Sequence, residues 1–208
     1  RMVCLGDIVA IGPDTNPVLE LLAERTDIEY VIGNHEKAVI AAFRNEPPPR
    51  GHFREREHHE WIADRIKPEF IDFISRFPLH QTYEVNGHVL YFVHYHLKDH
   101  DFLPIMKEPD AESLDQIYEH SNYDLVCFGH HHIVHEFKGR NRLYLNPGSL
   151  GCYHKPLARY GIVEVTQEGI AYRLREVPYD NRAFLASYRT LGAPDGELIL
   201  KVFHGQIE

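Results

Sequence analysis

Short apolar runs that stop abruptly at glycine are the feature that most restricts this chain. Met2 to Leu5 stops at Gly6-Asp7, Glu29 to Ile32 stops at Gly33-Asn34-His35-Glu36, and Asp124 to Phe128 stops at Gly129. Runs this short, bounded by glycine, have strand length, whereas Pro17 to Arg25 between the first two carries helical spacing. Strands alternating with helices imply an α/β layered fold and argue against a helical bundle or an all-β sandwich.

The rest of the chain extends this rhythm. A helix is expected after Gly33-Asn34-His35-Glu36, broken by the prolines of Asn45 to Gly51. Helical segments follow at His52 to Ile66 and Pro68 to Phe77, so residues 45–78 are a candidate helical cap, with the charged run Arg54 to Arg65 as a solvated face. Asn86-Gly87 between Thr82–Val85 and His88–Val93 signals a two-residue hairpin. A helix over Ala111 to His120 precedes strands at Asp124–Phe128, Ile133–Phe137, Leu143–Leu145, Tyr160–Val165 and Ile170–Glu176. Asn181 to Glu208 is expected to form a helix followed by a tail. With 208 residues, 43% of them hydrophobic, one core and one domain over 1–208 are expected.

Several function classes are disfavoured. A formal charge of -9 argues against bulk nucleic-acid binding, which needs a basic face to displace counterions. The chain has 3 cysteines, Cys4, Cys127 and Cys152, and two of them lie inside apolar runs, which suits reduced thiols and a cytoplasmic location. No apolar run approaches the roughly 18 residues that span a bilayer, so no membrane association is expected. No P-loop motif occurs, and Cys152 lacks the glycines that would cradle a phosphate beside a cysteine nucleophile.

The chain carries 16 histidines, and several stand at strand ends. In α/β sheets ligands gather at the carboxyl ends of strands, so Asp7, Asn34, His94 at the end of VLYFVH, and the Gly129-His130-His131-His132 run should converge. If the last of these is extended, His130 and His132 share a face as a two-imidazole claw. A carboxylate, an amide oxygen and imidazoles suit manganese, iron(II) or zinc better than calcium, and the absence of thiolates disfavours a structural zinc knot.

GDIVAIGP (6–13), GNHE (33–36), His94, GHHH (129–132) and NPGS (146–149), in this order, resemble the calcineurin-like metallophosphoesterases, and most closely their compact bacterial phosphodiesterase-like branch near the diadenosine-tetraphosphatase proteins. The resemblance implies two β-sheets packed as a sandwich and flanked by helices, four layers in all. It implies two divalent metal ions, manganese first and iron(II), zinc or magnesium next, bridged by Asp7, with Asn34, His94 and His130 on one and His132 on the other. It makes His35 the acid that protonates the leaving group, while the paired cations clamp a phosphate and acidify a bridging water. The family's Asp-x-His motif does not precede Asp7, so the chain is expected to lack a first β-α unit. The implied substrate is a small phosphodiester, nucleotide-type ester or phosphomonoester. The alternative is a catalytically impaired, partner-binding scaffold on the same fold, like the retromer subunit that resembles this family.

Overall fold

The structure, a computed structural model, describes residues 1–205. β1 (Met2–Cys4), helix α1 (Thr15–Ala23) and β2 (Ile28–Tyr30) form a right-sized crossover in which the two strands pair in parallel. Helices α2 (Asn34–Phe43), α3 (Arg56–Ala63) and α4 (Pro68–Ile74) follow. β3 (His80–Val85) and β4 (His88–Val93) make the expected hairpin, in which Asn86 and Gly87 are both left-handed, with φ of 52° and 85°. Next come a two-stranded pair that sequence periodicity did not reveal, β5 (Leu97–Lys98) and β6 (Asp101–Phe102), then α5 (Ala111–Ile117), β7 (Leu125–Phe128), β8 (Val134–Lys138) and β9 (Leu143–Pro147). The long hairpin of β10 (Leu157–Val165) and β11 (Ile170–Pro178) leads to α6 (Arg182–Leu191) and α7 (Gly196–His204).

A five-stranded sheet in the order β3-β4-β7-β9-β8 sits at the centre, with β4, β7 and β9 parallel and the two edge strands antiparallel. Its residues alternate between faces. Tyr91, Val93, Val126, Phe128 and Tyr144 pack on one side against Leu114 and Tyr118 at α5. Leu90, Leu125, Cys127 and Leu145 pack on the other against Leu5 and the inner face of the β10–β11 hairpin. Beyond that layer, helices α1 to α4 cover the β1–β2 pair through Leu19, Val39, Ile62, Phe70 and Ile74. The result is four layers, helix, sheet, strands, helices. In the second strand layer β1–β2 and β10–β11 are separate pairs, joined by packing and not by a hydrogen-bond ladder.

Two expectations need correction. The run Arg54 to Arg65 is only half a solvated face: His58, His59, Ile62 and Ala63 are buried, because α3 lies against the rest of the first core. The segment after Asn181 is two helices, since Gly192 ends α6 in a left-handed C-cap at φ 61° and α7 then packs Ile199 and Leu200 on Tyr188. Residues 206–208 of the expected tail lie outside the described residues. Among the described residues no helix is long and apolar enough to cross a membrane.

Leu125 is fully buried in the central strand, so Leu125→Ala should cost about 2–5 kcal/mol in urea unfolding. His96 is also fully buried, with Nδ1 2.9 Å from the Tyr118 hydroxyl. Burial, reinforced by His131 and His135, pushes its pKa down to about 3. An unfolded ring takes up a proton near pH ~6.5, so this group's stabilisation is complete above that pH and is lost as pH falls towards 3, by up to about 1.4 kcal/mol per unit. Unfolding free energy measured from pH 7 to 4 should decline accordingly, and a flat profile would refute the neutral buried ring.

Candidate metal centre

The site begins where β1 ends. Gly6 and Asp7 turn sharply with φ of 87° and 55°, and Ala10 is also left-handed at 84°. A Cβ on Gly6 would stand 2.7 Å from the Gly33 nitrogen, and one on Gly33 would stand 2.1 Å from Asp7 Oδ1, so both strand ends meet only because both are glycine. Between them lies Glu36, with none of its surface exposed. Its Oε2 accepts the N–H groups of Asp7 and Gly33, each at 2.8 Å, and its Oε1 accepts those of Ile8 at 2.8 Å and Val9 at 3.2 Å. By accepting the Gly33 N–H, Glu36 at N3 of α2 supplies the carboxylate half of a capping box, the half that glycine leaves open.

Asp7 is thereby aimed inward, and its Oδ1 accepts the N–H of His35 at 3.0 Å. Asn34, the first residue of α2, places Oδ1 2.8 Å from His94 Nε2 and 2.7 Å from His130 Nδ1. His94 Nε2 is also 3.1 Å from Asp7 Oδ2 and 3.2 Å from His130 Nδ1. Asp7, Asn34, His94 and His130 therefore meet at one point. Among the described residues, Asp7, His94 and His130 are also the one set of three His, Cys, Asp or Glu side chains whose ligand atoms gather within 4.8 Å.

The chemistry of this cluster calls for a cation. His94 Nδ1 lies 2.6 Å from the Leu5 carbonyl oxygen and so donates its proton there, which leaves Nε2 as the lone-pair nitrogen of the neutral ring. That lone pair faces the acceptors Asn34 Oδ1 and Asp7 Oδ2, and Asp7 Oδ2 is buried without an aligned donor despite the short approach of His94. The neutral ring has no Nε2 proton to offer these acceptors, whereas a divalent ion is suited to all of them. Burial works against the Asp7 charge, yet the adjacent His94 and His35 hold its pKa well below the usual carboxylate range. Burial works most strongly against protonation of His94, but Asp7, the Leu5 carbonyl and Glu36 together raise its pKa. Burial and the neighbouring His94 push His130 down to about 3, which keeps it a neutral donor.

Residues 129–132 bend instead of running extended, with left-handed backbone at His130 (φ 67°) and His132 (φ 59°). Alternate residues therefore do not share a face, and the expected claw is not formed. His130 enters the cluster, while His132 stands outside it, packed 5.4 Å from the Phe203 ring, with its carbonyl held by the buried Arg159. Burial pushes His132 down to about 4 against the opposing field of Asp7. His131 turns to Tyr95 and His135. Asn146 of NPGS is wholly buried and donates to the Gly129 carbonyl at 2.7 Å, which props the bend from behind.

His35 is held from two sides. Its backbone is tied to Asp7, and its ring Nδ1 lies 2.9 Å from Nε2 of His59 on α3. Sequence inspection gave no role to Glu36 beyond its place in GNHE, and read His59 as part of a solvated helix face or, less readily, as a cap residue in contact with substrate. The spacing of Glu36 three residues after Gly33 is a capping-box signal, and His59, Ile62 and Ile66 fall on one helical stripe, so both could have been found.

Residues 1–168 match the model of the calcineurin-like phosphoesterase superfamily domain. The chain belongs to this superfamily. A metallophosphoesterase from Sphaerobacter thermophilus shares the fold, with a TM-score of 0.70 at 19% identity over 97% of this chain and 87% of that one. A hypothetical protein from Pyrococcus horikoshii aligns with a TM-score of 0.78 at 15% identity, over 99% and 85% of the two chains. An uncharacterized protein of Methanocaldococcus jannaschii is 27% identical over 168 residues, and the alignment covers 73% of this chain and 65% of that relative's length. Membership of the calcineurin-like superfamily, whose members typically bind divalent metals, fits the cation-demanding cluster of Asp7, Asn34, His94 and His130.

Glu36→Gln keeps the volume but puts an amide N–H₂ where two backbone donors converge. It should lower the melting temperature and weaken manganese binding by about tenfold or more in titration calorimetry, since support of a ligand by its neighbours is typically worth that much. Unchanged affinity would mean that the loop holds Asp7 without this carboxylate.

Proposed function

We propose that this chain is a metal-dependent phosphoesterase acting on a small phosphorylated substrate, a phosphodiester, a nucleotide-type ester or a phosphomonoester. The observation that supports it is the buried convergence of Asp7, Asn34, His94 and His130, whose lone pairs lack the protons to satisfy one another. These side chains would hold one divalent cation, and Asp7 with His132 would hold a second. Manganese fits the mixed oxygen and nitrogen donors best, followed by iron(II), zinc and magnesium. Bound cations would supply Lewis-acid polarisation of the phosphoryl group and a water acidic enough to attack it.

The chain's own contribution is placement and a proton. Asp7 stays ionised although buried, so it retains the charge that draws cations in. His35 adjoins the ligand Asn34, and its Nδ1 is engaged by His59, so Nε2 is the nitrogen left to protonate a departing alkoxide.

Hydrolysis of bis-p-nitrophenyl phosphate and p-nitrophenyl phosphate, with manganese or with EDTA, tests this directly. Turnover should depend on the metal, should fall by at least about a hundredfold in Asp7→Ala, and should accompany close to two metals per chain by elemental analysis. His35→Ala should spare these good leaving groups and lose about 10²- to 10⁴-fold on alkyl esters. Failure of the wild-type chain to hydrolyse either ester with manganese present would end the phosphoesterase reading.

A further inference from the structure

Beside the metal centre stand three imidazoles that the metal ligands do not use. His35, His52 and His59 surround one another, with ring centroids 5.7 Å apart for His35–His52, 5.2 Å for His35–His59 and 5.7 Å for His52–His59. His59 is 1% exposed on α3, and its Nε2 makes the single side-chain hydrogen bond of His35 among the described residues, at 2.9 Å. Its other nitrogen, Nδ1, is buried without a partner. An orphaned polar atom of this kind is destabilising, so packing alone does not explain a histidine at this position.

We propose that His59 is a positioning residue for His35: it accepts the Nδ1 proton of His35, fixes the ring's orientation and leaves Nε2 to face the leaving group, with His52 walling the pair. The proposal rests on the phosphoesterase reading above. His59 can only serve as the acceptor while neutral, and burial, followed by the field of His35 and His52, pushes its pKa down to about 3. In the step itself, hydroxide forms a new P–O bond as the P–O bond to the alcohol breaks, and the departing oxygen takes the Nε2 proton of a doubly protonated His35. His35 returns to its neutral form with the remaining proton on Nδ1, still donated to His59, so the ring keeps one orientation before and after transfer. α3 is placed for this task by the preceding residue, since the His58 ring lies between the carbonyl oxygens of Ala10, in the loop that follows Asp7, and of Pro194.

The test compares leaving groups. Full-length wild type, His59→Phe, His59→Gln and the double variant His35→Ala with His59→Phe would be assayed with manganese on matched nitrophenyl and alkyl esters, as diester and monoester pairs. A nitrophenolate leaves without a proton, so His59→Phe should stay within about twofold of wild type on that ester. On the alkyl ester its kcat should fall by about ten- to a hundredfold with KM unchanged. His59→Gln, which can place an oxygen acceptor where Nε2 lies, should restore most of that loss, and the double variant should be no worse than His35→Ala alone. Phenylalanine also removes the orphaned nitrogen, so the melting temperature of His59→Phe should hold or rise, which separates lost positioning from lost folding. An equal loss on both ester types, no loss on the alkyl ester, or additive losses in the double variant would each overturn the proposal. Wild type that turns over none of the esters would instead remove the phosphoesterase reading, and the role of His59 with it.

Discussion

A single buried carboxylate sets the geometry on which the metal centre depends. Glu36 collects the N–H groups of Asp7, Ile8, Val9 and Gly33, which come from the ends of two different strands, and so bolts the loop after β1 to the start of α2. A fully buried carboxylate would be untenable without such donors, and a tight turn of exposed amides would be untenable without such an acceptor. Burial and the nearby Asp7 charge push Glu36 up to about 7, so the site is built under electrostatic tension between two carboxylates. The imidazoles around Asp7, and a cation among them, offset that tension. The ligands are thus ordered by a structure that is itself incomplete without positive charge.

The parts of this architecture written locally were legible in the sequence. Glycines at the ends of Met2–Leu5, Glu29–Ile32 and Asp124–Phe128 marked the strand tips, and Asn86-Gly87 marked the hairpin, because each depends on backbone freedom at one or two positions. The place of His94 at the end of the apolar run VLYFVH was enough to mark the residue that meets Asp7, Asn34 and His130.

What escaped sequence inspection was decided by distant contacts. Arg54 to Arg65 is dominated by charge, which hid the burial of His58 and His59 beside Ile62 in the first core. The bend at residues 129–132 is imposed by Asn146 and Arg159, far along the chain, so no local periodicity could have separated His130 from His132. The two helices of the last segment, separated at Gly192, are held together by packing among Tyr188, Ile199, Leu200 and Ile11.

The imidazole of His58 joins Ala10 to Pro194, and the Tyr188 hydroxyl reaches the Ile11 carbonyl, so the loop that carries Asp7 is fastened to the last helices of the chain. Contacts that link opposite ends of a sequence close the largest loops and are expected to form late in folding. The core sheets can assemble around β4, β7 and β9 before this, since their partners lie nearer in sequence. The loop that carries Asp7 is therefore expected to be fastened late, when the carboxyl-terminal helices dock on it.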